Sequence, residues 1–481
     1  MNVLIFSTFN SSPHFAAVML NELQERVNKA NNDSKVFLVS CSKTFDRCGF
    51  NLFSLKYSCD VCQYRLMKGL KKMQGDFRHI KLQELFKEED IKTSQNHIQR
   101  VGSINRDEYF DDFDYGEAVL SSYISKTRDK DLEEPKAQEL LKKIAENSIL
   151  VYLSIVRFIE AHDIGEVILF NGRWDYYKAA MKAAAHKGVK STILEYARPG
   201  GYINVFDNSL PHNIQNLSQR YLDTWERSTL DQEEKERIAK QYFEFKRFGN
   251  AAVGKSYIDK QKADLVPNKV DFSKKTVVLY TSSEDEFAAV GDEYRNPFFG
   301  DQNEGIRYVI NLFKEKLVDM ELVVRMHPNQ AGLPYAYAQE FDQMKETIPN
   351  VHIISPTSSV DSYALMDKAY KLITFGSSIG VEASFWQKPV VLLGRSYYSY
   401  SDVVYTPQSK DDIANLIVDP LPLKPVENAL KIGFFYIQGG EKATYYHSKD
   451  GDHFFKEANL SEIDLFNRVK WKLEKKLKIK N

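Results

Sequence analysis

The sequence predicts an α/β protein built from two doubly wound parallel-sheet domains. Three observations predict it: two β-α-β units in the first half, a polar proline-bearing linker at Gln261–Lys275, and a clean strand–helix alternation after it. A chain of 481 residues is too long for one ordinary core and suits two or three domains.

The elements follow in order. Val3–Phe6 is a short apolar strand closed by the turn cluster Asn10-Ser11-Ser12-Pro13. Val18, Leu20, Leu23 and Val27 mark a helix over about 16–30, and Lys35–Ser40 returns as a strand. A cysteine segment and a charged, loop-rich stretch to about Asp114 interrupt the alternation. A long helical pattern then runs from about Pro135 to His162. Strand Glu166–Phe170, the turn Asn171-Gly172-Arg173, an alanine-rich helix to about His186 and strand Ser191–Glu195 form the second β-α-β unit. Helical patterns fill about 215–247.

Beyond the linker, strands are expected at Thr276–Tyr280, Glu321–Met326, Val351–Ile354, Lys371–Phe375 and Pro389–Leu393, with four helices between them. The domain bounds read as 1–262, with a cysteine-bearing insertion at about 41–62, then 274–425, then 426–481 as a C-terminal helical segment packing back toward the first domain. No repeat of solenoid length is present.

Bulk composition narrows the function. The net charge of −1 gives no global field for nucleic acid, so no nucleic-acid partner is expected. The first residues lack a basic leader region, and no run approaches the ~20 apolar residues of a membrane span. A cytoplasmic protein is expected. The tail 467–481 sets seven basic side chains against Glu474, which suits either a solvated helix or peripheral contact with anionic headgroups on the inner face of the membrane.

All four cysteines, Cys41, Cys48, Cys59 and Cys62, fall in one segment with the pattern C-x6-C-x10-C-x2-C. The reducing cytosol argues against disulfides. The set can supply four thiolates to a structural zinc, or act as small buried hydrophobes.

Open parallel sheets bind ligands at the carboxyl ends of their strands, which points to three loops of the second domain. In Arg325-Met326-His327-Pro328-Asn329, Pro328 holds His327 extended at a strand end, where its imidazole and Arg325 can donate to a phosphate. In Phe375-Gly376-Ser377-Ser378-Ile379-Gly380-Val381-Glu382-Ala383, two hydroxyls and a helix start make an anion site, or an ordinary N-cap. Glu382 lies one turn on, suited equally to ribose hydroxyls and to the helix dipole. In Thr281-Ser282-Ser283-Glu284-Asp285-Glu286, Ser282 and Ser283 can touch the donor, and Glu284 can face the cleft.

The segments HPN (327–329), ITFGSSIGVEA (373–383) and KPVVLLG (388–394) resemble the donor domain of the GT-B glycosyltransferases of bacterial capsule and lipopolysaccharide assembly. Within these, the sequence is similar to Kdo- and sialic-acid-type transferases. The resemblance implies a GT-B-like fold, two Rossmann-type domains facing a cleft, and a CMP-activated sugar whose phosphate is held by His327, Ser377 and Ser378. It also implies a glycan or lipid-linked glycan acceptor.

FNGRWD (170–175) and ILEYARPG (193–200) resemble segments of capsule and surface-carbohydrate proteins. An inverting transfer needs a carboxylate to take the acceptor proton. Glu195 is favoured for its rigid strand end over Asp175, which can instead cap its helix. Arg173, Asn171 and His14 are further cleft candidates. Asp112-Phe113-Asp114 has metal-binding spacing but reads as a solvated loop. With Arg325 and His327 present, catalysis is expected to require no cofactor.

Two competitors remain open. One is a CDP-glycerol-type phosphotransferase of teichoic-acid-like polymer synthesis, disfavoured by Phe375-Gly376 before the serine pair. The other is a non-catalytic subunit that binds sugar nucleotide or glycan.

Overall fold

The computed structural model describes residues 1–130, 132–197, 200–249, 260–283, 285, 289–341, 348–463 and 469. The chain divides into two compact units, 1–211 with 288–290 and 440–481, and 212–287 with 291–439.

The first unit opens with β1 (Asn2–Ser7), α1 (Pro13–Lys29), β2 (Val36–Ser40), α2 (Lys56–Leu70) and β3 (Arg78–Lys81). Helices α3 (Glu88–Arg100), α4 (Tyr115–Thr127) and α5 (Pro135–Ala161) follow. Then come β4 (Ile164–Phe170), α6 (Asp175–His186), β5 (Lys190–Ala197) and β6 (Tyr202–Asp207). Central strands β1, β2 and β4 are almost wholly buried apolar runs, as strands covered on both faces must be. The Arg26 guanidinium on α1 donates to both oxygens of buried Glu166, at 2.6 and 3.2 Å, and the Thr192 hydroxyl adds 2.6 Å. That pairing satisfies a buried carboxylate and pins α1 to β4 and β5.

The second unit contains α7 (Ile214–Arg227), α8 (Gln232–Phe248), β7 (Thr276–Tyr280), α9 (Gln302–Glu315), β8 (Glu321–Arg325), the one-turn α10 (Ala336–Gln339) and β9 (Val351–Ile354). It continues with α11 (Ser362–Lys368), β10 (Lys371–Thr374), α12 (Ile379–Phe385), β11 (Val390–Leu392), α13 (Asp412–Val418) and α14 (Val426–Gln438). Its core gathers Val277, Leu279, Leu322, Val324 and Ile373 from one face of the sheet with Ile306, Ile310 and Phe313 of α9. The chain then returns to the first unit as β12 (Glu441–Lys442), β13 (Tyr446–Lys449), β14 (Asp452–Phe455) and β15 (Ala458–Asn459).

The second sheet is all parallel with order β11-β10-β7-β8-β9. The first repeats that order as β5-β4-β1-β2-β3, extended by antiparallel β6 and β12. Both units are therefore doubly wound, Rossmann-type α/β units, as expected. In each, the chain reverses beside its first strand, and the carboxyl ends of that strand and its neighbours form the natural crevice.

The boundaries differ from the sequence expectation. Helices α7 and α8 join the second unit because α14 packs on both, with Trp225, Ile238, Ala239, Leu430 and Phe434 forming one apolar cluster. Of the expected C-terminal helical segment, α14 is helical as far as Gln438. Residues 441–459 are short strands, and β12 extends the first sheet through β6. The basic tail lies outside the described residues apart from Val469.

Asn350, buried before β9, donates through Nδ2 to the carbonyls of Phe313, Leu317 and Met320 at 3.1, 3.2 and 3.0 Å. It ties the end of α9 to the loop entering β8. Asn350→Ala should lower unfolding free energy by ~1–3 kcal/mol, because buried carbonyls lose their donor. Urea denaturation reads this, and a change near zero would refute the assigned role.

Candidate anion pocket of the second unit

The carboxyl ends of β7, β8 and β10 enclose a cavity of about 100 Å³, lined among others by Thr281, Arg325, His327, Tyr363, Ser377, Ser378 and Glu382. Five residues singled out in the sequence thus meet in one place: Arg325, His327, Ser377, Ser378 and Glu382.

Arg325 ends β8 and is 3% exposed. Its guanidinium donates to the carbonyls of Ser355 at 2.6 Å and Ser358 at 3.1 Å, while its buried Nε has no partner. Burial lowers its pKa, opposed only by Tyr280. Among the described residues no carboxylate forms an ion pair with it. A buried guanidinium lacking a counter-charge favours an anion in the adjoining cavity.

His327 is half-buried. Its backbone N–H donates to Thr281 Oγ1 at 2.8 Å, and its Nδ1 accepts from the Asn329 N–H at 3.2 Å. An accepting Nδ1 places the proton of a neutral ring on Nε2, making that atom a donor. Pro328 fixes this geometry by starting a short 3-10 turn with His327 as its cap.

After β10, Gly376 takes φ +137, and a Cβ there would lie 2.8 Å from the Arg395 carbonyl. At Gly380 a Cβ would lie 2.4 Å from the Tyr398 hydroxyl, which donates to the Ser377 carbonyl at 2.6 Å. Both glycines are required by close approach. Thr374 Oγ1 accepts from the N–H groups of Gly376 and Ser377 at 3.3 and 3.1 Å. The N–H groups of Ser378 and Ile379 have no partner among the described residues.

Glu382, 4% exposed, accepts from Ser378 Oγ at 2.8 Å and from the Tyr363 hydroxyl. Both oxygens are engaged, so its role is to orient Ser378. The expectation of a ribose contact finds no support in this arrangement. The Ser378 hydroxyl proton is likewise spent on Glu382, which leaves its backbone N–H as the donor toward an anion.

Ser282 and Ser283 do not line the cavity. Ser282 gives its N–H and hydroxyl to Gln302 Oε1 at 2.7 and 2.8 Å, and Ser283 Oγ donates to Asp285 at 2.9 Å. The preceding residue, Thr281, is the one that reaches the site. Glu284 lies outside the described residues. Thr281 opens the loop whose hydroxyls the sequence places near the donor, whereas sequence reasoning missed Tyr363, Lys246 and Gln261, all on the cavity wall. The strand-end rule signals Thr281, but nothing in sequence signals the others.

In the first unit, Asn171 and Glu195 meet at the carboxyl ends of β4 and β5. Asn171 adopts φ +63 and donates through Nδ2 to Glu195 Oε2 at 2.5 Å. Desolvation raises the Glu195 pKa to about 7, against the hydrogen bonds from Asn171 and the Tyr196 N–H and the charge of Arg173. Arg173 stacks over Trp174 at 5.1 Å and reaches Ser125 Oγ at 3.3 Å. His14 shares a 2.9 Å hydrogen bond with Ser12 Oγ and packs among Phe15, Tyr196 and His453.

Asp175 departs from its expected catalytic role. It is 0% exposed, accepts from the Gly49 N–H at 2.8 Å, and its own N–H donates to Ser122 Oγ at 3.0 Å. Burial raises its pKa to about 6. It anchors the cysteine segment to α6 and has no surface to offer a substrate. The Asp112–Asp114 pair is spent as well: Asp114 pairs with Lys178 and Lys182 at 2.7 and 3.1 Å, and Asp112 accepts from Tyr152 at 2.7 Å.

All four cysteines line one small cavity with Phe9, Phe45, Phe50 and Asn51. Desolvation raises the pKa of Cys48 and Cys59, and pushes Cys62 up to about 12. Among the described residues no three His, Cys, Asp or Glu side chains are placed to hold one metal ion.

Two measurements follow. Native Cys48 and Cys62 should resist a chromogenic disulfide at pH 8 and react on unfolding, because the thiolate is the reactive form. A jump in native thiol count on adding chelator would instead reveal the thiolate-bound zinc that the spacing suggests. For Glu195, the folded pKa of about 7 exceeds the unfolded value of about 4.3. Its burial therefore costs stability progressively as pH rises from about 4.3 to 7, and the full penalty persists above. Glu195→Gln should raise Tm relative to wild type at pH 8 and lose that advantage near pH 4. An equal difference at both values would refute the shift.

Residues 204–413 match the family model described as capsule polysaccharide biosynthesis protein. Among solved structures, the chain is similar to the β-Kdo 2,4 transferase of Thermosulfurimonas dismutans KpsC, at 13% identity, TM-score 0.36, covering 56% of this chain and 80% of that one. The β-Kdo 2,7 transferase of the same protein gives 14% identity, TM-score 0.32 and coverage of 63% and 86%. A UDP-GlcNAc 2-epimerase of Methanocaldococcus jannaschii gives 9%, 0.29, and 90% and 98%. Among curated proteins none matches the chain. The family match contains every residue that lines the anion pocket, and over that segment it bears out the resemblance to capsule-assembly proteins read from HPN and FGSSIGVEA.

Proposed function

We propose that the protein is a glycosyltransferase of capsule polysaccharide synthesis that holds the phosphate of a nucleotide-activated sugar in the pocket of its second unit. The observation that carries this reading is Arg325, a buried cation with no carboxylate partner among the described residues, beside a cavity edged by further donors. His327 Nε2–H and the N–H groups of Ser378 and Ile379 complete the set. They are fixed before the ligand arrives, so they stabilise charge on the leaving phosphate without reorganising.

Glycosyl transfer breaks the bond between the anomeric carbon and the donor phosphate oxygen, and that oxygen leaves carrying negative charge. The acceptor hydroxyl forms the new bond and loses a proton. Glu195 is the carboxylate we assign to that proton, with a pKa raised to about 7 for a base working near neutrality. Asn171 orients it, and the charge of Arg173 favours its ionised form. A CMP-linked Kdo- or sialic-acid-type sugar is the proposed donor, and a glycan or lipid-linked glycan of the capsule the proposed acceptor. This rests on the resemblance of the HPN and serine-pair segments. No described helix is long and apolar enough to cross a membrane. Contact with the membrane surface through the basic tail belongs to the proposal.

A thermal-shift panel of CMP, CDP, UDP and GDP tests the pocket. A ligand at about 100 times its Kd stabilises by ~2.7 kcal/mol. Cytidine nucleotides should raise Tm, Arg325→Met and His327→Phe should abolish the shift, and Asp175→Asn should keep it. Response to UDP or GDP alone would change the donor, and response to none would remove the reading. In turnover assays, a phosphodiester in the product would identify a phosphotransferase instead. Binding without turnover that is indifferent to Glu195→Gln would identify a non-catalytic binder.

A further inference from the structure

The first unit carries a second, much larger depression that the chemistry above does not use. It has a volume of about 860 Å³ and lies between Lys71–Gln74, which follow α2, and the β13–β14 hairpin. Its walls hold three ammonium groups (Lys71, Lys72 and Lys456), three rings (Tyr445, His447 and Phe454) and one carboxylate, Glu457.

The arrangement is built. His447 and Phe454 are direct cross-strand partners, and their rings stack 4.9 Å apart at 5° with His447 exposed. Lys456 Nζ donates to Gln24 Oε1 at 2.8 Å and to the Lys72 carbonyl at 3.0 Å, joining the two walls, and lies 5.2 Å from the Tyr445 ring centre. The Tyr445 N–H donates to Asn21 at 2.8 Å, and its hydroxyl accepts from Asn28 at 2.6 Å. Lys71 and Lys72 are exposed. Glu457, the acid on the groove wall, stands 4.0 Å from Lys72, a separation worth little in water.

We propose that this groove binds an acidic oligosaccharide. The flat ring pair, with His447 exposed and Phe454 half-buried beside it, offers an apolar face to the C–H side of a sugar ring, and the exposed ammonium groups of Lys71 and Lys72 meet carboxylates or phosphates carried by the sugar. With a net charge of −1 for the chain, such attraction is local to the groove and does not extend over the surface. The choice of a glycan over other polyanions rests on the capsule-synthesis reading above. The ring stack and the lysines stand without it.

The test uses the full chain and four probes in titration calorimetry: a hexamer of α-2,8-linked sialic acid, neutral maltohexaose, a single-stranded oligonucleotide and phosphatidylglycerol vesicles. The acidic hexamer should bind, and raising ionic strength from about 0.05 to 0.5 M should weaken it. Lys71→Glu with Lys72→Glu should weaken binding by about tenfold. His447→Ala should also weaken it, and in both variants Tm and the nucleotide-induced thermal shift should stay as in wild type. Equal binding of maltohexaose, tighter binding of the oligonucleotide or the vesicles, or wild-type affinity in the variants would overturn the proposal. If the hexamer binds as expected and no nucleotide shifts Tm, the groove stands and the transferase reading falls.

Discussion

The second unit is organised around the desolvation of one cation. Taking a guanidinium out of water costs several kcal/mol unless hydrogen bonds and an opposite charge offset it. At Arg325 the carbonyls of Ser355 and Ser358 supply the hydrogen bonds, and among the described residues no carboxylate supplies the charge. An arginine stays protonated under such conditions, because its intrinsic pKa is too high for burial to neutralise it. The cost is therefore carried by the ligand-free protein, and an anion in the proposed site would relieve it. That is pre-organisation: packing of the β8 and β9 ends places the guanidinium before any ligand of the proposed site arrives.

Glu382 is the apparent contradiction, since it puts a carboxylate on the same cavity wall. Its two oxygens are covered by Ser378 and Tyr363, and the nearest consequence is steric order in the serine turn. Thr374 acts on the other side of that turn by absorbing the N–H groups of Gly376 and Ser377. Between them they leave the Ser378 and Ile379 amides as the donors that remain. The helix that follows is only seven residues long, so local N–H groups matter here more than any long-range dipole.

Strand positions and the pocket's strand-end residues were legible because buried parallel strands are unbroken apolar runs and because ligand loops follow their carboxyl ends. The partners were not. Tyr363 lies 19 positions from Glu382 and Gln302 lies 20 from Ser282, so their hydrogen bonds depend on how loops cross above the sheet. Helix α3 was lost in the charged stretch because its buried positions include Asp90 and Ser94, and Asp90 is matched by Arg157 from α5. A polar face buried against a polar partner has no apolar period to detect. The short strands β12–β15 failed for the related reason that two to four residues carry no periodicity. Assignment of α7 and α8 to the second unit turned on which surface their apolar faces meet, and a hydrophobic pattern does not record that.

Asp175 and Glu195 show how similar sequence signals separate once packing is known. Both are carboxylates of the one β4-α6-β5 unit, Asp175 opening α6 and Glu195 near the end of β5, and burial raises the pKa of both. Asp175 is wholly buried, with its carboxylate accepting from the Gly49 N–H and its own N–H donating to Ser122, so it presents no surface to a substrate. Glu195 receives one side-chain donor, Asn171, whose left-handed backbone is a conformation that asparagine tolerates better than most residues. That donor holds the carboxylate in place while desolvation keeps its proton affinity near neutral pH. A base needs both properties at once, a fixed position and a poised pKa, and of the two carboxylates only Glu195 keeps a partly exposed surface through which to use them.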